Sequence, residues 1–244
     1  MYGWRGRIGL IYLSSGGLDQ EFPKFLPDGV SVHIARLSGP EESGRVTSTV
    51  EDHLKLIESD RIETAAKQLS SARANVIALA DTSMSFLMGP GADAELIRRI
   101  ESSTGAAATT TSSAALDAFR RLGIRKVSVA TPYPDELNQR LTSFFEGSGV
   151  KVVCVKGLNI YSDWETDNQP PEVVYELAKE ADASQADGVF IACTALRTAE
   201  VLQQLEEDLE KPVVSANQAT IWRALRMMGV RAQISGYGSL MKVI

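Results

Sequence analysis

The sequence predicts a parallel α/β protein built from two similar halves. Three observations carry that expectation. Short apolar runs rich in β-branched residues alternate with longer stretches of helical period, the pattern of strands buried on both faces and joined by helices. The length of 244 residues suits one large α/β domain or two of about 120 residues each. A set of four segments recurs in the same order along the chain, without a fixed period.

The candidate strands are Ile8–Leu13, Val30–Ala35, Asn75–Ala80, Ala106–Thr109, Lys126–Thr131, Lys151–Lys156, Gly188–Ala192 and Pro212–Ser215. Between them, helical periodicity marks Thr47–Ala72, Asp93–Ser103, Ser112–Leu122, Asp135–Gly147, Pro171–Ala183, Arg197–Leu209 and Asn217–Met228, with Gly123 and Gly229 placed as C-terminal stops. The repeat pairs Arg7–Ser15 with Arg125–Tyr133, Val30–Ser38 with Lys151–Asn159, Asn75–Ser83 with Asp187–Ala195, and Ala106–Gly123 with Pro212–Gly229. If a pseudo-twofold relates the halves, the ends of equivalent strands face each other across a cleft. Ligands of open α/β sheets bind beyond the carboxyl ends of strands.

Composition excludes several function classes. With 44% hydrophobic and 23% charged residues the chain can build a core, and its net charge of −6 with no basic run argues against nucleic-acid or anionic-membrane partners. No apolar stretch approaches the roughly 18 residues that span a bilayer, and the N-terminus lacks a signal-peptide pattern, so a cytoplasmic protein is expected. Two cysteines, Cys154 and Cys193, make no disulfide framework, and with only His33 and His53 besides there is no zinc-type spacing. The reading requires neither a metal nor an organic cofactor, and it is compatible with a homo-oligomer.

The repeat places Asp81 and Cys193 at the same point of their halves, straight after a buried strand. Both can take or give a proton, which suits chemistry at a carbon beside a carboxylate. An enediolate formed there needs directed donors. Thr82, Ser83, Thr194 and Tyr133 offer hydroxyls in the right loops, and the backbone N–H groups of Ser83, Thr194 and Ala195 add more. Taken singly, Asp81 reads as a helix cap and a cysteine after a buried strand reads as packing, as Cys154 does in mid-strand. Convergence on equivalent positions is what turns both toward function. The Gly89–Asp93 run lacks the lysine and spacing of a phosphate loop. Tyr161 and Trp164, among Asp163, Glu165 and Asp167, read as a surface linker or lid.

Three segments resemble a known family. Asp81-Thr-Ser-Met-Ser-Phe86 resembles the Gly-Thr-Ser-Leu-Ser-Phe segment of arylmalonate decarboxylases. Ala130-Thr-Pro-Tyr-Pro-Asp-Glu-Leu-Asn-Gln-Arg-Leu141 looks like their tyrosine segment, and Ile191-Ala-Cys-Thr-Ala195 matches the position of their catalytic cysteine. Thr131-Pro-Tyr133 and Gly89-Pro-Gly91 are also similar to maleate cis-trans isomerases. Both groups belong to the aspartate/glutamate racemase superfamily, and the similarity runs from about residue 7 to about residue 240.

The resemblance implies two Rossmann-like halves: residues 1–110 completed by 214–244, and residues 111–213. It implies Cys193 as proton donor or acceptor, and a dioxyanion hole of Thr82, Ser83, Tyr133 and the backbone of Thr194 and Ala195. Ser14 and Ser15 would line the pocket beside them. The departure is Asp81, where racemases and maleate isomerases carry a first cysteine and the decarboxylases a glycine. The leading expectation is a cofactor-independent decarboxylase of a substituted malonate-type acid, its enediolate protonated by Cys193. The alternative is a racemase or cis-trans isomerase using Asp81 and Cys193 as opposed acid/base groups, although a carboxylate is a far poorer carbon nucleophile than a thiolate. A third reading is a non-catalytic carboxylate-binding protein.

Overall fold

A computed structural model describes residues 3–38 and 49–244. Among the described residues, eight strands form two four-stranded, all-parallel sheets with the same strand order. The first comprises β1 (Gly6–Leu13), β2 (Val30–Leu37), β3 (Val76–Leu79) and β4 (Ala107–Thr110), ordered β2-β1-β3-β4. The second comprises β5 (Lys126–Thr131), β6 (Lys151–Gly157), β7 (Gly188–Ile191) and β8 (Val213–Ser215), ordered β6-β5-β7-β8. The duplication extends to single bonds. Ala80 N–H donates to Ile11 O at 2.8 Å, and Ala192 N–H donates to Ala130 O at 2.9 Å. Each alanine carries its ladder one residue past the strand, so Asp81 and Cys193 leave their sheets at matching points.

Among the described residues, ten α-helices surround the sheets. They are α1 (Val50–Glu58), α2 (Arg61–Ser71), α3 (Thr82–Phe86), α4 (Asp93–Thr104), α5 (Thr111–Leu122), α6 (Asp135–Gly147), α7 (Asp163–Asp167), α8 (Pro171–Ala181), α9 (Leu202–Leu209) and α10 (Ala216–Met227). Helix α10 follows β8 of the second sheet but packs on β1, β3 and β4 of the first and against α5, which in turn touches both β4 and β8. The inner strands β3 and β7 are apolar: Val76, Ile77, Ala78 and Leu79 in β3 and Val189, Phe190 and Ile191 in β7 are all buried. Gly123 and Gly229 follow α5 and α10 with φ of 74° and 69°, a left-handed conformation that glycine adopts without a Cβ clash. Among the described residues no helix is long and apolar enough to cross a membrane.

Two expected helices need correction. Thr47–Ala72 is not continuous: Ser59 adopts an extended backbone (ψ 168°), and its Oγ donates to Leu56 O and accepts from Arg61 N–H, ending α1 and starting α2. Thr47 and Ser48, the expected start, lie outside the described residues. The expected Arg197–Leu209 helix begins only at Leu202, because Thr198 is drawn into contacts with Glu21. Two five-residue helices, α3 and α7, were not expected from the periodicity.

Candidate active site

The carboxyl ends of β1, β3, β5 and β7 converge on one enclosed cavity of 20 Å³. Its walls are Tyr12, Leu13 and Gly16 after β1, His53 of α1, Asp81, Thr82 and Ser83 after β3, Tyr133 after β5, Asp163 of α7, and Cys193, Thr194 and Ala195 after β7. That volume holds about one water molecule, so the site is closed. Larger hollows lie on the surface, such as one of 510 Å³ between α6 and β6, but that one has neither a thiol nor a buried acid among its walls.

Cys193 sits in a strained backbone conformation, with φ of 83°. A residue with a Cβ adopts that region at a cost of roughly 1–3 kcal/mol, and such strain clusters at functional sites. The turn puts Sγ within 3.4 Å of Ala195 N–H, which donates to it. The loop is fastened to the first sheet's side of the molecule. Tyr12 Oη donates to Thr194 O at 3.2 Å and Thr194 Oγ1 donates to Ala80 O at 3.2 Å. Asn217 Nδ2 donates to Thr194 O and to buried Glu21, which also accepts from Thr198 N–H and Oγ1. Thr194's hydroxyl is therefore already engaged, which leaves its backbone N–H as the group it can direct at a ligand.

The thiol itself is only partly accessible, through the cavity. Burial among protein atoms pushes it well above the ordinary thiol range, and the nearby carboxylates of Asp163 and Asp81 push it further. The Ala195 N–H and the Tyr133 phenol act the other way, by donating to sulfur. Cys193 is thus a protonated thiol whose thiolate would have two donors waiting for it.

Tyr133 is held by its own motif. Its N–H donates to Thr131 Oγ1 at 3.2 Å, its carbonyl accepts from Asn138 Nδ2 at 3.0 Å, and its ring packs edge-on against Phe86. Burial, followed by the charges of Cys193 and Asp81, holds its phenol far above the ordinary range, so it remains a donor. Thr82 Oγ1 faces the phenol but completes no hydrogen bond, a buried hydroxyl whose capacity a ligand oxygen would fill.

Asp81 caps α3: its Oδ1 accepts from Met84 N–H at 2.7 Å and from Ser83 Oγ at 2.9 Å. Ser83 Oγ also lies 2.8 Å from His53 Nε2, and His53 Nδ1 lies 2.7 Å from Thr49 O. Ser83's hydroxyl is consequently tied to two protein groups, while its N–H lies in the first turn of α3. Asp163 accepts from Ser15 Oγ at 2.6 Å, and Asp167 accepts from Gly17 N–H at 2.7 Å, so α7 is clasped to the loop after β1. Among the described residues no Lys or Arg stands in the cavity wall.

Seven of the residues singled out in the sequence meet here: Asp81, Thr82, Ser83, Tyr133, Cys193, Thr194 and Ala195. Ser14 is exposed and outside the wall, and Ser15 reaches the site only through Asp163. Tyr12, Leu13, Gly16, His53 and Asp163 are additions. His53 carried a readable signal, because helical spacing puts it on one face with Leu56 and Ile57, where a lone polar ring among apolar neighbours invites a buried partner. Among the described residues no cluster of three or more His, Cys, Asp or Glu could hold a metal ion.

The sequence pattern of the arylmalonate decarboxylase family matches residues 50–241. Arylmalonate decarboxylase of Bordetella bronchiseptica is 31% identical over 95% of this chain and 91% of its own. Maleate isomerase of Geobacillus stearothermophilus is 29% identical over 96% of both chains. A crystal structure of a double mutant of arylmalonate decarboxylase in its liganded form superposes with a TM-score of 0.86 at 29% identity, covering 96% of this chain and 98% of that one.

Proposed function

The chain belongs to the arylmalonate decarboxylase family and is an enzyme, a lyase or isomerase, and on that premise we propose that it decarboxylates a substituted malonate-type acid without a cofactor. The observation that carries this reading is the state of Cys193. A half-buried thiol kept protonated by its surroundings, with Ala195 N–H poised on sulfur, is an acid suited to delivering one proton.

In the proposed reaction one carboxylate of the substrate lies against Thr82 Oγ1, the Tyr133 phenol and the N–H groups of Ser83 and Thr194. The bond from the α-carbon to the other carboxylate breaks, carbon dioxide leaves, and the electron pair remains as an enediolate whose charge those donors stabilise. Cys193 S–H then transfers its proton to the α-carbon. The thiolate left behind accepts from Ala195 N–H until solvent returns a proton.

A second reading, racemisation or cis-trans isomerisation, is favoured by one observation: Asp81 shares the cavity wall with Cys193 and comes from the equivalent strand of the other sheet. Incubation with phenylmalonate in heavy water separates the two. Decarboxylation predicts carbon dioxide release with one deuterium entering the α-position of phenylacetate; deuterium entry into phenylmalonate without carbon dioxide release would reject it on this substrate.

A further inference from the structure

The hydrogen-bond chain behind Asp81 fixes a count of protons. Thr49 O is a carbonyl and only accepts, so His53 Nδ1 carries a hydrogen. Ser83 Oγ has one proton and two partners, Asp81 Oδ1 at 2.9 Å and His53 Nε2 at 2.8 Å. With Asp81 ionised and His53 neutral, one of those contacts would set two lone pairs against each other. Two arrangements avoid this. In one, an imidazolium donates from Nε2 to Ser83, and Ser83 donates to the Asp81 carboxylate. In the other, a protonated Asp81 donates to Ser83, and Ser83 donates to neutral Nε2. They interconvert by shifting two protons along two hydrogen bonds, and both have zero net charge.

We infer that Asp81, Ser83 and His53 are one proton-sharing unit, in which His53 is the positioning residue that cancels the charge of Asp81 and lets an anionic carboxylate substrate approach it. The inference rests on the decarboxylase reading for its substrate and answers a problem that reading raises. A malonate dianion enters a wall with Asp81 and Asp163 and, among the described residues, no Lys or Arg. Other groups bear on His53. Asp163, Cys193, Tyr12 and Tyr133 share its cavity. On its own helix Lys55 pairs with Glu51, and Asp52 accepts from Thr49 Oγ1. From α2, packed on α1, comes Glu63, bound by Arg99. Of these groups, Asp81 alone reaches the ring through a single hydroxyl.

The test is nitrogen-15 NMR of the His53 ring in the intact wild-type chain, Asp81→Asn and Ser83→Ala under one set of conditions. A shared proton moves the Nε2 resonance in both variants away from its wild-type position while Nδ1 keeps its hydrogen. An Nε2 resonance unchanged between wild type and Asp81→Asn would overturn the unit; Ser83→Ala supplies the same comparison if Asp81→Asn does not fold. With phenylmalonate as probe, His53→Gln is expected to raise KM about tenfold with little change in kcat, and to have no such effect in an Asp81→Asn background. A KM effect that persists there would also overturn it. A wild-type chain that leaves phenylmalonate unchanged contradicts the decarboxylase reading instead, and the nitrogen-15 comparison, which needs no turnover, still decides the proton unit.

Discussion

At residue scale the cysteine is defined as much by its backbone as by its sulfur. Cys193 holds φ at 83° because the chain must leave β7, turn Sγ back under Ala195 N–H and still bring Thr194 to Ala80 and Tyr12. Only glycine occupies that region freely, so the strain belongs to any side chain placed there. Cys193→Gly is accordingly expected to resist urea better than Cys193→Ala by up to about 1 kcal/mol, although both remove the thiol. Equal stability would mean that the turn relaxes when sulfur is lost. Burial and the charge of Asp163 act on the same atom, keeping the proton on sulfur. What distinguishes this site from one with a smaller residue at position 81 is that a buried acid must be accommodated, and its neighbours Ser83 and His53 do so.

At element scale, α7 is the piece that closes the cavity. It reaches the β1 loop through Asp163 to Ser15 and Asp167 to Gly17, while Trp164 points outward, 76% exposed. Asp167 is pushed up to about 7, first by burial and then by the nearby charge of Asp163, against the opposing Gly17 N–H. An acid raised in the folded state stabilises it fully at low pH, and that contribution fades as pH rises toward 7 and beyond. Asp167→Asn, which keeps the Gly17 contact without a charge, should therefore gain in Tm over wild type between pH 6 and pH 8. A constant difference over that range would show that Asp167 does not govern the clasp. The same helix shows where sequence reading reaches its limit. Strands such as Lys126–Thr131 and helices such as Asp135–Gly147 were legible to the residue, since an apolar run or several turns of periodicity identify them. Five-residue α3 and α7 span little more than one turn, too short for a period. The Ser59 break depends on a side chain competing with the backbone, and the late start of α9 depends on Glu21, 177 positions from Thr198.

At the scale of the whole molecule, the candidate site is a consequence of duplication. The same strand order appears twice, and the loops after β3 and β7 end in one cavity. That convergence was legible in the sequence for Asp81, Thr82, Ser83, Tyr133 and the Cys193 loop, because the repeat aligns them. Tyr12 and Asp163 were not, since neither is paired by the repeat with a chemically active residue; each enters the wall through tertiary contacts with Thr194 and Ser15. Helix α10 crosses from the second sheet to the first, and buried Glu21 joins Thr198 and Asn217, so the two sides of the cavity are held in fixed relation. A cavity with a single thiol in its wall supplies that proton from one direction, and handedness in the product records it. The most direct measurement is turnover of 2-methyl-2-phenylmalonate by wild type and Cys193→Ala, read as rate and as the enantiomer ratio of 2-phenylpropionate. The account predicts one enantiomer in large excess from wild type and a rate lower by about 10²–10⁴-fold in the variant; an unchanged rate with the same enantiomer from Cys193→Ala would contradict it.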